Sequence, residues 1–183
     1  MRRATVLVAL LGLLLGGGGV AVARSTPTLT ASGPTAVHGT EASAVFRIAD
    51  RTVRQIRYAD GGTLRYTFDV TNSGRLPVTV LGLTGHEPRT RLFTYTGLTG
   101  PDGERVVHLG AGQTRRVTLA LRMGGCESLS ARAGAFVTEV AVRTEQAGVF
   151  SDDVTITLPE EVHTGSPREA FCPRSTATSR PPG

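Results

Sequence analysis

Histidine, cysteine and acidic residues are the side chains of this 183-residue chain that could carry catalysis or bind a metal. His86 and Glu87 are neighbours, and such a pair could transfer protons or supply two metal ligands. No third ligand follows at the spacing of a metal site, so an exposed loop is the simplest interpretation. We expect His108 to pack half-buried at a strand end. We expect His38 to be solvated and His163 to belong to a polar tail.

The serine and carboxylate patterns give no catalytic motif. Ser128 and Ser130 lack the G-x-S-x-G context of a hydrolase nucleophile. The acidic doublets at residues 152–153 and 160–161 lack the ligand spacing of a calcium loop, and we interpret both as solvated strand ends. The glycines at residues 16–19 lack the Lys and Ser/Thr of a phosphate-binding loop. We therefore predict that the protein is not an enzyme and has no cofactor or resident metal.

The first 23 residues have the composition of an export signal. Arg2 and Arg3 precede an apolar run over residues 4–15, and Ala21-Val22-Ala23 is a small-x-small cleavage pattern. Two interpretations remain open. One is a signal peptide cleaved before Arg24, and the other is an uncleaved signal anchor, since the apolar stretch has the roughly 20 residues needed to span a bilayer. Both predict an extracytoplasmic location, secreted or anchored in the cell membrane.

Export gives the two cysteines a simple interpretation. Cys126 and Cys172 are an even number in an oxidising compartment, so we predict one disulfide between them. The closed loop would contribute about 4 kcal/mol on a chain-entropy estimate. Two free thiols are the alternative. The pair has no CxxC spacing for zinc, and nothing near either residue specifies a low-pKa catalytic thiol.

The net charge of +5 comes from 20 basic and 15 acidic residues, and every basic residue is arginine. Proteins that bind nucleic acids cluster their basic residues on one face or one helix. The arginines of this chain are scattered through it, which is typical of solvated strand faces. We therefore predict no nucleic-acid partner.

Residues 61–83 contain the clearest structural pattern, around which the rest of the chain is arranged. Apolar residues alternate with polar ones, as in a strand with one buried face. They are Leu64, Tyr66, Phe68 and Val70. Residues 72–74 form a polar turn, and a second strand with Val78 and Val80 follows. The stretch predicts either a β-hairpin or a corner where the chain changes sheet.

Seven to nine short strands at intervals near a dozen residues predict an all-β, antiparallel immunoglobulin-like β-sandwich at residues 42–159. We expect Phe46 and Ile48 to face inward from the first strand. Phe136 is expected to face inward with Val140 and Val142 in a later one.

The segments outside this domain are polar. Residues 24–41 are rich in Ser, Thr, Pro and Gly and predict a flexible linker. Residues 160–183 predict a mostly disordered tail that is tethered by Cys172.

Two stretches carry a family resemblance. Residues 62–80, GTLRYTFDVTNSGRLPVTV, resemble the strand, N-x-G turn and Pro-Val strand of bacterial extracytoplasmic immunoglobulin-like modules. Residues 109–121, LGAGQTRRVTLAL, resemble a later turn and strand of those modules. The whole chain also resembles small exported actinobacterial proteins of unknown function. The resemblance implies a sandwich fold behind a signal segment, and it carries over no catalytic residues.

These observations predict a non-enzymatic extracytoplasmic binding or envelope-associated module. The expected partner is a protein or glycan of the cell envelope, which would contact loops at residues 85–90, 97–104 or 124–134, or an exposed strand edge. The membrane would be contacted only through the N-terminal segment, if it is uncleaved. The alternative is an extracytoplasmic metal-handling domain that uses His86 and Glu87, together with His108.

Overall fold

A computed structural model describes residues 26–58, 61–85, 92–125 and 134–165 of the chain. Six candidate residues named above lie outside the described residues: His86, Glu87, Cys126, Ser128, Ser130 and Cys172. So do the export segment, residues 166–183 of the tail and most of two loops proposed as contact surfaces. The disulfide, the export signal and the His86–Glu87 pair therefore stay predictions.

The described residues form two sheets that pack as a β-sandwich, and they contain no helix. The smaller sheet has the order β1-β4-β8-β6, and the larger has the order β2-β3-β10-β9-β5-β7. The strands are β1 (Leu29–His38), β2 (Ala42–Ile48), β3 (Arg51–Arg57), β4 (Thr63–Asn72), β5 (Val78–Leu83), β6 (Phe93–Thr99), β7 (Val107–Leu109), β8 (Thr114–Met123), β9 (Ala135–Gln146) and β10 (Phe150–Thr164). The predicted all-β sandwich is confirmed, with ten strands where seven to nine were expected.

The core lies between the two sheets and follows from the alternation of side chains along each strand. All four apolar residues of β4 that the alternation identified are buried. The facing sheet contributes buried residues from β9 and β10, namely Val137, Val140, Val142, Val154, Ile156, Leu158 and Val162. No helix long and apolar enough to cross a membrane occurs in the part of the chain that the structure describes.

The turn after β4 is a corner between the two sheets. β4 belongs to the smaller sheet and β5 to the larger one, so the corner interpretation of residues 61–83 is the right one. Fully buried Asn72 holds the corner. Its Nδ2 donates to the carbonyl oxygens of Leu76 (2.8 Å), Leu109 (3.1 Å) and Gly110 (3.1 Å), and its Oδ1 accepts from the amide of Gly74 (3.0 Å).

The predicted linker at residues 24–41 is wrong over Leu29–His38, which form β1. This strand pairs antiparallel with β4, from Leu29 opposite Asn72 to His38 opposite Arg65. Leu29 is buried, and Ala31 and Val37 pack against the core. The ladder shifts register between Ser32 and Ala36, so Pro34 lies where its missing amide hydrogen costs least. The sequence concealed this strand because Gly33 and Pro34 interrupt its alternation at that point.

The predicted tail is wrong over residues 160–164, because β10 continues to Thr164. The residues that follow Leu158 at every second position, Glu160, Val162 and Thr164, are all buried. The end of β10 pairs parallel with β3, from Glu161 opposite Val53 to Thr164 opposite Ile56. The sandwich is therefore mostly, and not wholly, antiparallel.

The ends of the described segments bear on the disulfide prediction. Ala135 at the start of β9 pairs with Thr164 at the end of β10, so Gly134 and Gly165 lie side by side. Cys126 follows Gly125, the last described residue after β8, by one position, and Cys172 follows Gly165 by seven. The seven-residue tether can span up to about 25 Å, and the disulfide stays a prediction.

We expect the intact mass of the exported chain to rise by two hydrogens on reduction. We also expect replacement of both cysteines by serine to lower the free energy of unfolding by about 2–4 kcal/mol. Equal masses with and without reductant would contradict the disulfide.

The β9–β10 hairpin contains a residue with strained backbone. Ala147 (φ 55°) and Gly148 (φ 70°) are consecutive left-handed residues, closed by a hydrogen bond from the Val149 amide to the Gln146 carbonyl (3.3 Å). A side chain with a Cβ is disfavoured there, and asparagine tolerates the conformation best. We expect Ala147→Asn to raise the free energy of unfolding by about 0.5–1 kcal/mol, measured by urea denaturation.

The control is Ala111→Asn, since Ala111 is an exposed turn alanine that does not have a positive φ. Equal effects of the two substitutions would show that the left-handed backbone is not the cause.

Candidate functional site

The outer edge of the larger sheet is the most unusual surface of the described chain. β2 is the last strand of its sheet and neighbours only β3. All seven of its residues, Ala42–Ile48, are exposed. Three of them are large and apolar: Val45 and Phe46 are each 50% exposed and Ile48 is 60% exposed. We call Ala42–Ile48 the β2 edge.

The β2 edge is exposed because the two sheets differ in width. β1 is the outermost strand of the smaller sheet and packs against β10 of the larger one. β3 and β2 continue beyond β10, so the β2–β3 hairpin extends past the smaller sheet. The expectation that Phe46 and Ile48 face the core is therefore wrong. Both lie on the outer face of the sheet, and Val45 points to the inner side, where no strand covers it.

A shallow groove of about 230 Å³ lies along the outer face of the hairpin. Its lining comes from β2 and β3 and consists of Ala42, Ser43, Ala44, Phe46, Gln55 and Arg57. Small-molecule sites usually measure about 300–1,000 Å³ and enclose their ligand. This groove is smaller, open and bordered by a free strand edge, so its size suits one or two side chains of an extended polypeptide.

A buried polar cluster fixes the hairpin to the sandwich. The Arg54 guanidinium donates two hydrogen bonds to the Glu160 carboxylate and one to Thr35 Oγ1 (2.9 Å). The side chains of Arg54 and Glu160 are only 12% and 5% exposed. Because Thr35 belongs to the smaller sheet, the cluster joins β3 and β10 to the facing strand β1. The acidic doublet at residues 160–161 was expected to be solvated, and for Glu160 that expectation is wrong.

Tyr66 of β4 borders the same cluster. Its hydroxyl is buried and has no hydrogen bond of ordinary geometry with the described residues. Burial, and to a smaller degree the negative charge of Glu160, raise the pKa of Tyr66 well above its usual value. The hydroxyl therefore stays protonated, and we assign the cluster a structural role that positions β3.

Exposed ion pairs flank the groove. Arg51 binds Glu161, and Arg57 binds Glu41 at 2.9 Å. The hydrogen bond from Arg51 lowers the pKa of Glu161. A carboxylate with a lowered pKa contributes stability above its unfolded-state pKa and loses that contribution as the pH falls through its folded-state pKa. Both groups are exposed, so we expect this pair to affect stability little.

The histidines within the described residues belong to three different strands, β1, β7 and β10. His108 is exposed on β7, contrary to the half-buried position expected, and its Nδ1 is 3.0 Å from Thr79 Oγ1. His163 belongs to β10 and not to a tail. Its ring lies 4.5 Å from that of Phe136, measured between centroids. No group of three or more His, Cys, Asp or Glu side chains that could hold a metal occurs within residues 26–58, 61–85, 92–125 and 134–165.

Phe136 does not face inward as predicted and is 52% exposed. Val140 and Val142 are buried as expected. The β9–β10 ladder shifts register between Thr157 and Val162, and this shift reverses the face on which Phe136 lies.

Comparison with known proteins identifies no family for this chain. No protein-family model and no curated protein matches the sequence. Among solved structures, the chain is similar to the cupredoxin domain of amoB from Nitrosocaldus yellowstonii, with 13% identity and a TM-score of 0.28. The match covers 66% of this chain and 65% of that one. A likeness at this level assigns neither a family nor a copper site to this chain.

The sequence did contain a signal for the β2 edge. Residues 42–48 read ASAVFRI, with large apolar residues at both odd and even positions and a single charge. Val45 is the one departure from strict alternation, because it shares its face with the polar residues Ser43 and Arg47. The structure shows that both faces of this strand are exposed.

Proposed function

We propose that the protein is a non-enzymatic extracytoplasmic module that binds an extended polypeptide strand along the β2 edge. In this mode the bound strand extends the sheet through main-chain hydrogen bonds, and alternate side chains enter pockets on the sheet face. The observation that carries the proposal is that all seven residues of Ala42–Ile48 are exposed at an open sheet edge, and that three of them are large and apolar.

Natural sandwiches usually protect such an edge with charges, proline, a bulge or a covering segment. Arg47 is the only charged residue of β2, and the strand pairs with β3 without a register shift over seven residues. An edge this long, regular and apolar favours association, so we assign it to binding. The export signal predicted from the first 23 residues supports a partner outside the cytoplasm.

Photo-crosslinking with a reactive phenylalanine analogue tests the surface. The chain offers a matched pair, since Phe46 on β2 and Phe136 on the flat outer face of β9 are about equally exposed. We expect adducts with polypeptide when the analogue replaces Phe46 in envelope preparations, and none when it replaces Phe136. Adducts with glycan or lipid, no adduct, or equal yields at the two positions would contradict strand binding at the β2 edge.

A further inference from the structure

We infer that the strand bound at the β2 edge is β2 of a second copy of this chain, so that the protein is a two-fold symmetric dimer with one continuous sheet. The inference rests on the proposed function and names its partner. Two copies would pair antiparallel, edge to edge, about an axis perpendicular to the sheet. Each sheet of six strands would then continue into that of the other copy as a sheet of twelve.

Symmetry and strand length fix the register. A two-fold axis perpendicular to the sheet keeps each side chain on its own face, so a residue can oppose only residues of the same face. All seven residues of Ala42–Ile48 find partners only when the axis passes beside the central residue, Val45. Val45 then opposes Val45 of the second copy. The other opposed pairs are Ala44 with Phe46, Ser43 with Arg47 and Ala42 with Ile48.

In this register the strand is complementary to itself. On the outer face, each large side chain opposes a small one: Phe46 meets Ala44, and Ile48 meets Ala42. Ala42 and Ala44 also line the groove, so Phe46 and Ile48 of one copy would fill the groove of the other. The single charged residue, Arg47, opposes Ser43, and no like charges face each other. Directly opposed cross-strand pairs of this kind are the unit of sheet stability.

The C-terminal segment of the same chain is a less suitable occupant. The described chain ends at Gly165, whose amide donates to the Ile56 carbonyl (3.2 Å), beside β3. The segment would have to cross β3 and β2, about 10 Å, before it reached the free edge. Residues 166–183 also contain four prolines, each of which removes a ladder donor. The predicted disulfide would draw Cys172 toward Cys126, which follows β8 of the smaller sheet by three residues.

Exchange of the large and small residues tests the pairing. We expect the exported chain to dimerise in sedimentation equilibrium, and Phe46→Ala and Ala44→Phe each to weaken the dimer at least about tenfold. The double variant Ala44→Phe/Phe46→Ala restores one large and one small residue in each opposed pair, so it should recover most of the lost affinity. The positions are exposed, and a urea midpoint for each variant checks that it folds. Phe136→Ala is the control and should leave dimerisation unchanged.

The outcomes separate the inference from the proposed function. If the double variant dimerised no more tightly than the weaker of the two single variants, the two-fold register would be overturned. A chain that stays monomeric, while Phe46 still crosslinks to another polypeptide, would overturn the dimer and leave strand binding in place. The absence of both dimer and polypeptide adduct would overturn both. An adduct with the mass of two chains, restored sedimentation of the double variant and an unaffected control would support the dimer.

Discussion

Replacement of Asn72 by alanine should lower the free energy of unfolding by roughly 3 kcal/mol, measured by urea denaturation. The side-chain amide satisfies three carbonyl oxygens and one amide hydrogen at the corner where the chain changes sheet. Alanine would leave the buried Leu109 carbonyl without this donor, at a cost of about 1–3 kcal/mol, and would remove a partner from three partly buried groups at a smaller cost each. Asn72→Asp should be as damaging, because a carboxylate cannot donate to the three carbonyl oxygens around it.

The control is Thr71→Ala in the same strand. Thr71 lies on the outer face, where its hydroxyl contacts that of Thr114 at 2.8 Å. We expect that substitution to cost less than about 1 kcal/mol, since both hydroxyls reach water. If Asn72→Ala were as mild as Thr71→Ala, the corner would not depend on the side-chain amide.

Arg54→Met is the second large effect, with an expected loss of about 3–5 kcal/mol in the free energy of unfolding. Methionine fills much of the same space but leaves the Glu160 carboxylate buried without a counter-charge. Removal of both charges, by Arg54→Met with Glu160→Leu, should recover most of this loss, because no unpaired charge then remains. Thermal or urea unfolding of Arg54→Met, Glu160→Leu and the double variant measures the coupling between the two residues.

The exposed ion pair between Arg143 and Asp153 supplies the control. Arg143→Met should change the free energy of unfolding by about 1 kcal/mol or less, because both partners stay in water. Hydrogen exchange adds a local readout: in Arg54→Met, the amides of β2 and β3 should exchange faster than those of β4 and β8. Equal losses of unfolding free energy in Arg54→Met and Arg143→Met would contradict a stabilising role for the buried Arg54–Glu160 pair.

Alternation of apolar and polar residues was sufficient to predict which side chains face the core wherever a strand has one buried face. It placed the four core residues of β4 and the inward residues Val140 and Val142 of β9 correctly. It could not choose between a hairpin and a corner after β4, because that choice depends on which distant strands pair. The hydrogen bonds of Asn72 to Leu109 and Gly110 join residues nearly 40 positions apart, and no local pattern encodes them.

The predicted boundaries of the sandwich were wrong for a different reason. Burial of Glu160 is stabilised by Arg54, a residue 106 positions away, so an acidic doublet that looked solvated belongs to a buried strand. Composition likewise concealed β1, since a strand interrupted by Gly33 and Pro34 is stabilised by its pairing with β4 and not by local propensity. The β2 edge was misassigned because alternation reports the periodicity of a strand and not the width of the sheet that should cover it.

The parallel pair between β3 and the end of β10 sets the order in which the chain can assemble. β2 and β3 are translated early and can close only as an isolated two-stranded hairpin, which is marginally stable in water. Their attachment to the sandwich requires residues 161–164, close to the end of the described chain. Closure of so long a loop costs entropy and favours late docking. A nascent or truncated chain that lacks the end of β10 would therefore not hold the β2 edge in place, and only completed molecules would present it.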